Sequence, residues 1–152
     1  MPWWELAFYA CNYGVIGAWL LLAVAPKSEV TRRVVFSGFV PFLFGTAYGV
    51  ILFADWGSSP DAHVFTLDGV MAVFTSRPTV VAAWIHYLIF DLFVGAWITR
   101  DAARHGIRHL WVVPLLFTTL AFGPLGLVGY LLLRGVRTGR WSTEEVVSSA
   151  AG

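Results

Sequence analysis

Four stretches of this chain run for about 20 residues each with almost no charge, and that length is what a helix needs to cross a hydrocarbon core. Trp3 to Ala25 carries only Glu5, near its start, and Thr79 to Thr99 carries His86 and Asp91. Val34 to Ala54 and Leu110 to Leu133 carry no charge at all. A lone chain with four such runs cannot close a barrel, so the runs are read as helices. The expected fold is all-α: an integral membrane four-helix bundle. Residues 1–140 form one four-span domain and 141–152 a polar C-terminal tail that frays.

Composition supports this reading. Apolar and aromatic residues make up 58% of the 152 residues and charged residues only 12%, with a mean hydropathy of +0.72. A water-soluble domain of this size has too much surface to hide so much apolar side chain. An ordinary cytosolic domain, a disordered chain and a nucleic-acid binder with a basic face are excluded. The formal net charge of +1 gives no bulk pull on acidic partners. Cys11 is the only cysteine, which excludes an internal disulfide framework and a thiolate cluster for zinc or iron–sulfur.

The connections are short and polar. Pro26 to Arg33 holds Lys27, Arg32 and Arg33, and Arg100 to His109 holds Arg100, Arg104 and Arg108. The long connection, Asp55 to Pro78, is acidic early on through Asp55, Asp61 and Asp68. Within it Leu67, Val70, Met71 and Phe74 recur at helical spacing after Thr66, a potential N-cap. Val64 to Arg77 is too short to span and is expected to be a short interfacial helix between spans 2 and 3, with a structured loop as the alternative. The positive-inside rule places both termini outside by six basic residues to four, the four being Arg77, Arg134, Arg137 and Arg140. The first run is too long for a cleaved signal peptide and lacks its basic start. No Arg- and Ser-rich transit peptide precedes it. The expected setting is a bacterial inner membrane, or a plastid membrane if this is a trimmed plant chain.

Polar groups at membrane depth need a reason. Asp91 is the thirteenth residue of the 21-residue third run, and an ionised carboxylate there costs at least about 2.5–3.5 kcal/mol. It is expected to face the bundle interior, where desolvation favours its neutral form. Tyr87, Asp91 and Gly95 form one helical stripe, and His86, Phe90, Phe93 and Trp97 another, roughly 140° away. Asp91 is either part of a site or an interhelical hydrogen bond that holds the bundle together. His86 is equally a site residue or a satisfied structural histidine. No metal site is expected, since His63, His105 and His109 lie in connections and no His-x-x-Glu-His spacing occurs. Asn12, in the first run, could hydrogen-bond to Asp91, while Glu5 lies at the water boundary.

Gly123 and Pro124, in Phe122-Gly123-Pro124-Leu125-Gly126, are expected to kink the fourth helix and admit another backbone or a flat ligand. Pro41, with Gly38 and Gly45, can do the same in the second run. The glycines of the fourth helix also permit a homo-oligomer without requiring one. Trp3, Trp4, Trp56 and Trp111 fit an interfacial belt. Trp19, Trp84 and Trp97 lie deeper, as core packing or as aromatic walls for a long apolar ligand.

The segment Trp84-Ile85-His86-Tyr87-Leu88-Ile89-Phe90-Asp91-Leu92-Phe93-Val94-Gly95-Ala96-Trp97-Ile98, with Asp101-Ala102-Ala103-Arg104, Gly106-Ile107, Phe122 to Gly126 and Tyr130, resembles the membrane-protein family named for abscisic acid deficiency in plants. Asn12, Trp19 and Pro26 add to the likeness. Ala96 departs from the family's Gly-Arg-Trp version. The resemblance implies a carotenoid-modifying protein, since the plant members are linked to neoxanthin synthesis. It implies an epoxide-opening isomerisation of a xanthophyll, which conserves atoms and electrons and asks for an acid and a base but no redox cofactor. Asp91 would then be the acid, with His86 or Tyr87 as relay. Trp84, Trp97, Asn12, Asp101, Arg104, Gly123 and Pro124 would line the substrate, a carotenoid or other long apolar ligand. Because such a molecule is about as long as the core is thick, its end ring would alternatively react nearer Asp101, Arg104 and His105. The rival readings are a non-catalytic carotenoid- or lipid-binding protein and a small transporter subunit.

Overall fold

The chain is described here from a computed structural model covering residues 1–141. Residues 142–152 of the expected polar tail lie outside the described residues. Helix α1 spans Trp3–Val24, and a short turn, α2 (Glu29–Thr31), runs through a π turn at Arg32–Phe36 into α3 (Phe39–Ala54). The short helix α4 (Leu67–Val73) is followed by α5 (Arg77–Arg104), α6 (His109–Phe122) and α7 (Pro124–Thr138). Among the described residues there is no strand.

Three segments are long and apolar enough to cross a membrane: Trp3–Val24, Glu29–Ala54 and Arg77–Arg104. The short helix expected between the second and third runs is present but shorter, with the Thr66 hydroxyl capping it at the Gly69 N–H. The third run extends past its expected end, so Arg100 to Arg104 are helical rather than loop. Ring and hydrogen-bond contacts give the directions. Trp84 meets Asn12 and Trp19 meets Gly95, so α5 runs parallel to α1. Tyr48 meets His86 and Arg100 lies over Phe36, so α3 runs antiparallel to both. A methyl on Gly95 would stand 2.5 Å from the Trp19 ring, so the missing side chain is what lets α1 approach. Around this contact Val15, Leu22, Ile51, Ile85, Leu92 and Leu116 form the core.

The fourth run corrects the four-helix expectation. Leu110 to Leu133 is not one helix with a kink but two, broken at Gly123. Gly123 adopts φ 48° and ψ −100°, a conformation that a side chain strains, and Pro124 supplies the first residue of α7. The two helices then fold back on each other. A methyl on Gly126 would lie 2.6 Å from Thr119 Cα, one on Gly129 would lie 3.0 Å from Leu115, and Arg137 lies over the Trp111 ring at 4.8 Å. These partners step in opposite directions along the chain, so α6 and α7 are an antiparallel hairpin. At 14 and 15 residues, each is about 21–23 Å long, too short to cross a core of about 30 Å.

The fold-back relocates charge. Arg134 and Arg137 return to the end of the molecule where α6 begins. Of the ten Lys and Arg residues, nine (Lys27, Arg32, Arg33, Arg100, Arg104, Arg108, Arg134, Arg137 and Arg140) belong to that end, and only Arg77 to the other. The six-to-four division expected from four spans is therefore overturned.

Candidate functional site

Asp91 is the fifteenth of the 28 residues of α5, midway along it, and is 9% exposed. It faces the tip of the α6–α7 hairpin. A methyl on Gly123 would come within 2.9 Å of Asp91 Oδ1 and 3.4 Å of Oδ2. The close approach and the positive φ therefore both call for glycine at that position. The break also leaves the start of α7, with its partial positive charge and no side-chain cap, close to the carboxyl. Asp91 Oδ2 is buried and has no hydrogen-bond partner. Tyr87, one turn earlier, is its electrostatic neighbour and donates its hydroxyl to the Leu120 carbonyl at 2.9 Å. Tyr87 thus ties α5 to the last turn of α6.

His86 points elsewhere. Its ring packs on Phe90 at 4.5 Å and Tyr48 at 5.7 Å, facing α3, so His86 and Asp91 lie on different faces of α5 as their spacing predicts. Asn12 does not bond to Asp91: its side-chain carbonyl accepts the Trp84 indole N–H at 3.1 Å. Trp84 also packs against Tyr87, with centroids 5.2 Å apart.

A second polar cluster lies ten residues along α5, about 15 Å away. Tyr130 donates its hydroxyl to Asp101 Oδ2, and Arg134 Nη1 approaches the same oxygen at 3.1 Å. His105 Nδ1 is 2.9 Å from the Asp101 carbonyl oxygen and 3.5 Å from Oδ1. Arg134 is 1% exposed and Tyr130 fully buried. Trp97 meets the Tyr130 ring edge-on at 5.6 Å. Arg104, three residues after Asp101 on α5, is exposed. Sequence reasoning missed Arg134, taking it as a boundary charge. The four-residue spacing of Gly126, Tyr130 and Arg134 would have placed all three on one face of α7.

Between the clusters an apolar groove of about 440 Å³ is lined by Phe93, Val94, Trp97, Leu127 and Leu131. It opens between α5 and α7, one turn from Asp91 at one end and beside Tyr130 at the other. Among the described residues no three His, Cys, Asp or Glu side chains gather as a metal site requires.

These features define a class: a helical protein with three helices of membrane-crossing length, and a broken hairpin whose tip meets a buried acid. The chain belongs to the ABA DEFICIENT 4-like family, whose model matches residues 6–130. It is 28% identical over 129 residues to Protein ABA DEFICIENT 4, chloroplastic, of Arabidopsis thaliana; the match covers 80% of this chain and 57% of that relative. The chain thus spans less than two thirds of the relative's length. No solved structure matches it. The family match takes in Asp91, Asp101, the hairpin tip and Tyr130, and stops short of Arg134.

Proposed function

We propose that this chain is an integral membrane protein that modifies a carotenoid, opening a xanthophyll epoxide by isomerisation. The observation that carries the reading is the buried Asp91 carboxyl, with one oxygen unpartnered, halfway along an apolar helix of 28 residues. An acid at that depth is a functional candidate by default. Family membership supports the substrate class through the resemblance described above. Large apolar side chains left exposed on every long helix, including Tyr13, Leu20, Phe42, Phe53, Phe90 and Phe93, suit a lipid surround. The nine-to-one distribution of basic residues favours an orientation with the N-terminus outside and the end of α7 inside.

In this reading the polyene lies in the groove of Phe93, Val94, Trp97, Leu127 and Leu131. Asp91, as the neutral acid, donates its proton to the epoxide oxygen while the carbon–oxygen bond breaks. A proton leaves the adjacent chain carbon, an allene forms, and that proton restores the acid, so atoms and electrons balance. Tyr87 positions Asp91 and relays the proton; His86, on the other stripe, takes no part. Asp91 is favoured over Asp101 because the Asp101 carboxylate is already engaged by Tyr130 and Arg134. Access requires the hairpin tip to move off α5.

The competing reading, a non-catalytic carotenoid- or lipid-binding protein, draws on the tight seat of Asp91 against Gly123 and on the Tyr87–Leu120 bond, which suit a structural lock. Expression in carotenoid-producing cells with pigment analysis separates the two. Conversion in the parent that falls at least about tenfold in Asp91→Asn, with the protein still folded, supports catalysis. Pigment that co-purifies unchanged with both supports binding alone, and full conversion by Asp91→Asn refutes the acid.

A further inference from the structure

At the basic end of the molecule a cavity of about 350 Å³ lies between the α1–α2 corner, the last turns of α5 and the start of α6. Its lining includes Lys27, Arg100, Arg108 and His109 and contains no acidic residue. We infer that this cavity binds a phosphate monoester or diester anion, seated by Lys27, Arg100 and Arg108 against the uncapped N-terminus of α6.

Three observations converge on it. First, the charges are uncompensated. Arg32 and Arg33, at the same end, are neutralised by Glu29 at 2.5 and 2.6 Å, whereas Lys27, Arg100 and Arg108 have no acidic partner among the described residues. Three cationic residues lining one concavity with no acid among them favour an anion there. Second, the cavity is held in shape. Arg100 lies over the Phe36 ring at 5.4 Å, and His109 Nε2 is fixed to the Ala23 carbonyl at 2.9 Å. Third, α6 is a 14-residue helix whose N-cap, Arg108, makes no side-chain cap bond, so its first N–H groups remain available beside the cations. The planar forks of the guanidinium groups and a helix N-terminus together match the several acceptor oxygens of a tetrahedral phosphate better than they match a simple halide. The remaining walls, Pro26, Phe36, Ala102 and Ile107, are apolar and suit the carbon skeleton of an ester. Such basic pockets between helices are where anionic headgroups bind.

The phosphate has two possible sources, an anionic phospholipid or a soluble phosphate compound. Only the lipid source rests on the membrane reading. The test uses the full chain in an uncharged detergent and follows thermal unfolding with three additions: dihexanoyl phosphatidylglycerol, sodium phosphate, and sodium chloride at matched ionic strength. At ten times its dissociation constant the bound anion is expected to raise the midpoint by about 3–6 °C. Phosphatidylglycerol acting alone identifies the lipid source, and sodium phosphate acting equally well identifies the soluble one. The Lys27→Gln, Arg100→Gln, Arg108→Gln triple variant is expected to lose the shift. An Arg32→Gln, Arg33→Gln, Arg140→Gln variant, which removes equal charge from the same end, is expected to keep it. Exposed Arg108 is also changed alone, as Arg108→Gln, so that the test survives misfolding of the triple variant; its affinity is expected to fall about fivefold. No shift from either phosphate compound, a shift matched by sodium chloride, or equal losses in both triple variants would overturn the site.

Discussion

Replacing Arg134 by methionine tests whether the α6–α7 hairpin is clamped to α5 by charge. Methionine keeps the apolar stem and removes the guanidinium. The partners are 1% (Arg134) and 7% (Asp101) exposed, so the Asp101 carboxylate left behind cannot be rehydrated in place. It would keep only the Tyr130 hydroxyl as a partner from α7. Removing one member of so buried a pair costs about 3–5 kcal/mol, most of it the stranded charge rather than the lost attraction. For a chain of this size that corresponds to a fall of about 6–20 °C in the unfolding midpoint. The assay is thermal unfolding of the parent, Arg134→Met, Asp101→Asn and the double variant. In the double variant no buried charge remains, and asparagine still accepts from Tyr130. It is expected to recover more than half of the loss seen in Arg134→Met. The reasoning is refuted if Arg134→Met is as stable as the parent, or if the two changes add without coupling, since contact between these side chains demands an interaction energy above about 0.5 kcal/mol.

Other outcomes follow from the same structure. Gly123→Ala is expected to destabilise by about 1–3 kcal/mol through its positive φ, whereas Gly45→Ala, in open space on α3, is expected to be neutral or slightly stabilising; both are read by unfolding midpoints. A hairpin returns the end of α7 to the side of the α1–α3 turn. With Cys11 replaced, impermeant thiol reagents are therefore expected to label Ser28→Cys and Arg140→Cys from one side of a sealed vesicle and Ser58→Cys from the other. Labelling of positions 58 and 140 from the same side would restore a fourth span. The hydroxyls of Ser76 and Thr79 hold the Asp55 carboxyl below the usual carboxylate range. Its contribution to stability is therefore complete above the ordinary Asp pKa and is lost as pH falls through the lowered folded value. Asp55→Asn is expected to flatten the acid side of the stability–pH curve below about pH 4, measured by unfolding from pH 6 to 3.

Length and hydropathy along the chain determined a great deal. The three long helices, the short helix capped by Thr66, and the separation of Asp91 from His86 on two stripes are local or periodic properties, and each follows from residue spacing alone. Asp91 is conspicuous because an acid in an apolar run stands out whatever surrounds it. The sequence also marked Gly123 and Pro124 as a weak point, but a Gly-Pro pair is compatible with a kink or a full reversal. Only tertiary packing chose between them: Gly126 against Thr119 and Arg134 against Asp101 stabilise the folded-back arrangement, and neither pairing is encoded locally. The same reversal brought α7's N-terminus to Asp91, joined Tyr130 and Arg134 to Asp101, and carried three arginines to the opposite end from that expected of a spanning helix. Asn12 pairs with Trp84 rather than Asp91 for a similar reason, because the rotation of α1 about its axis depends on which neighbour its buried face meets. Hydropathy reports how much apolar surface a helix must cover; which helix covers it, and in what direction, is decided by contacts between residues far apart in the chain.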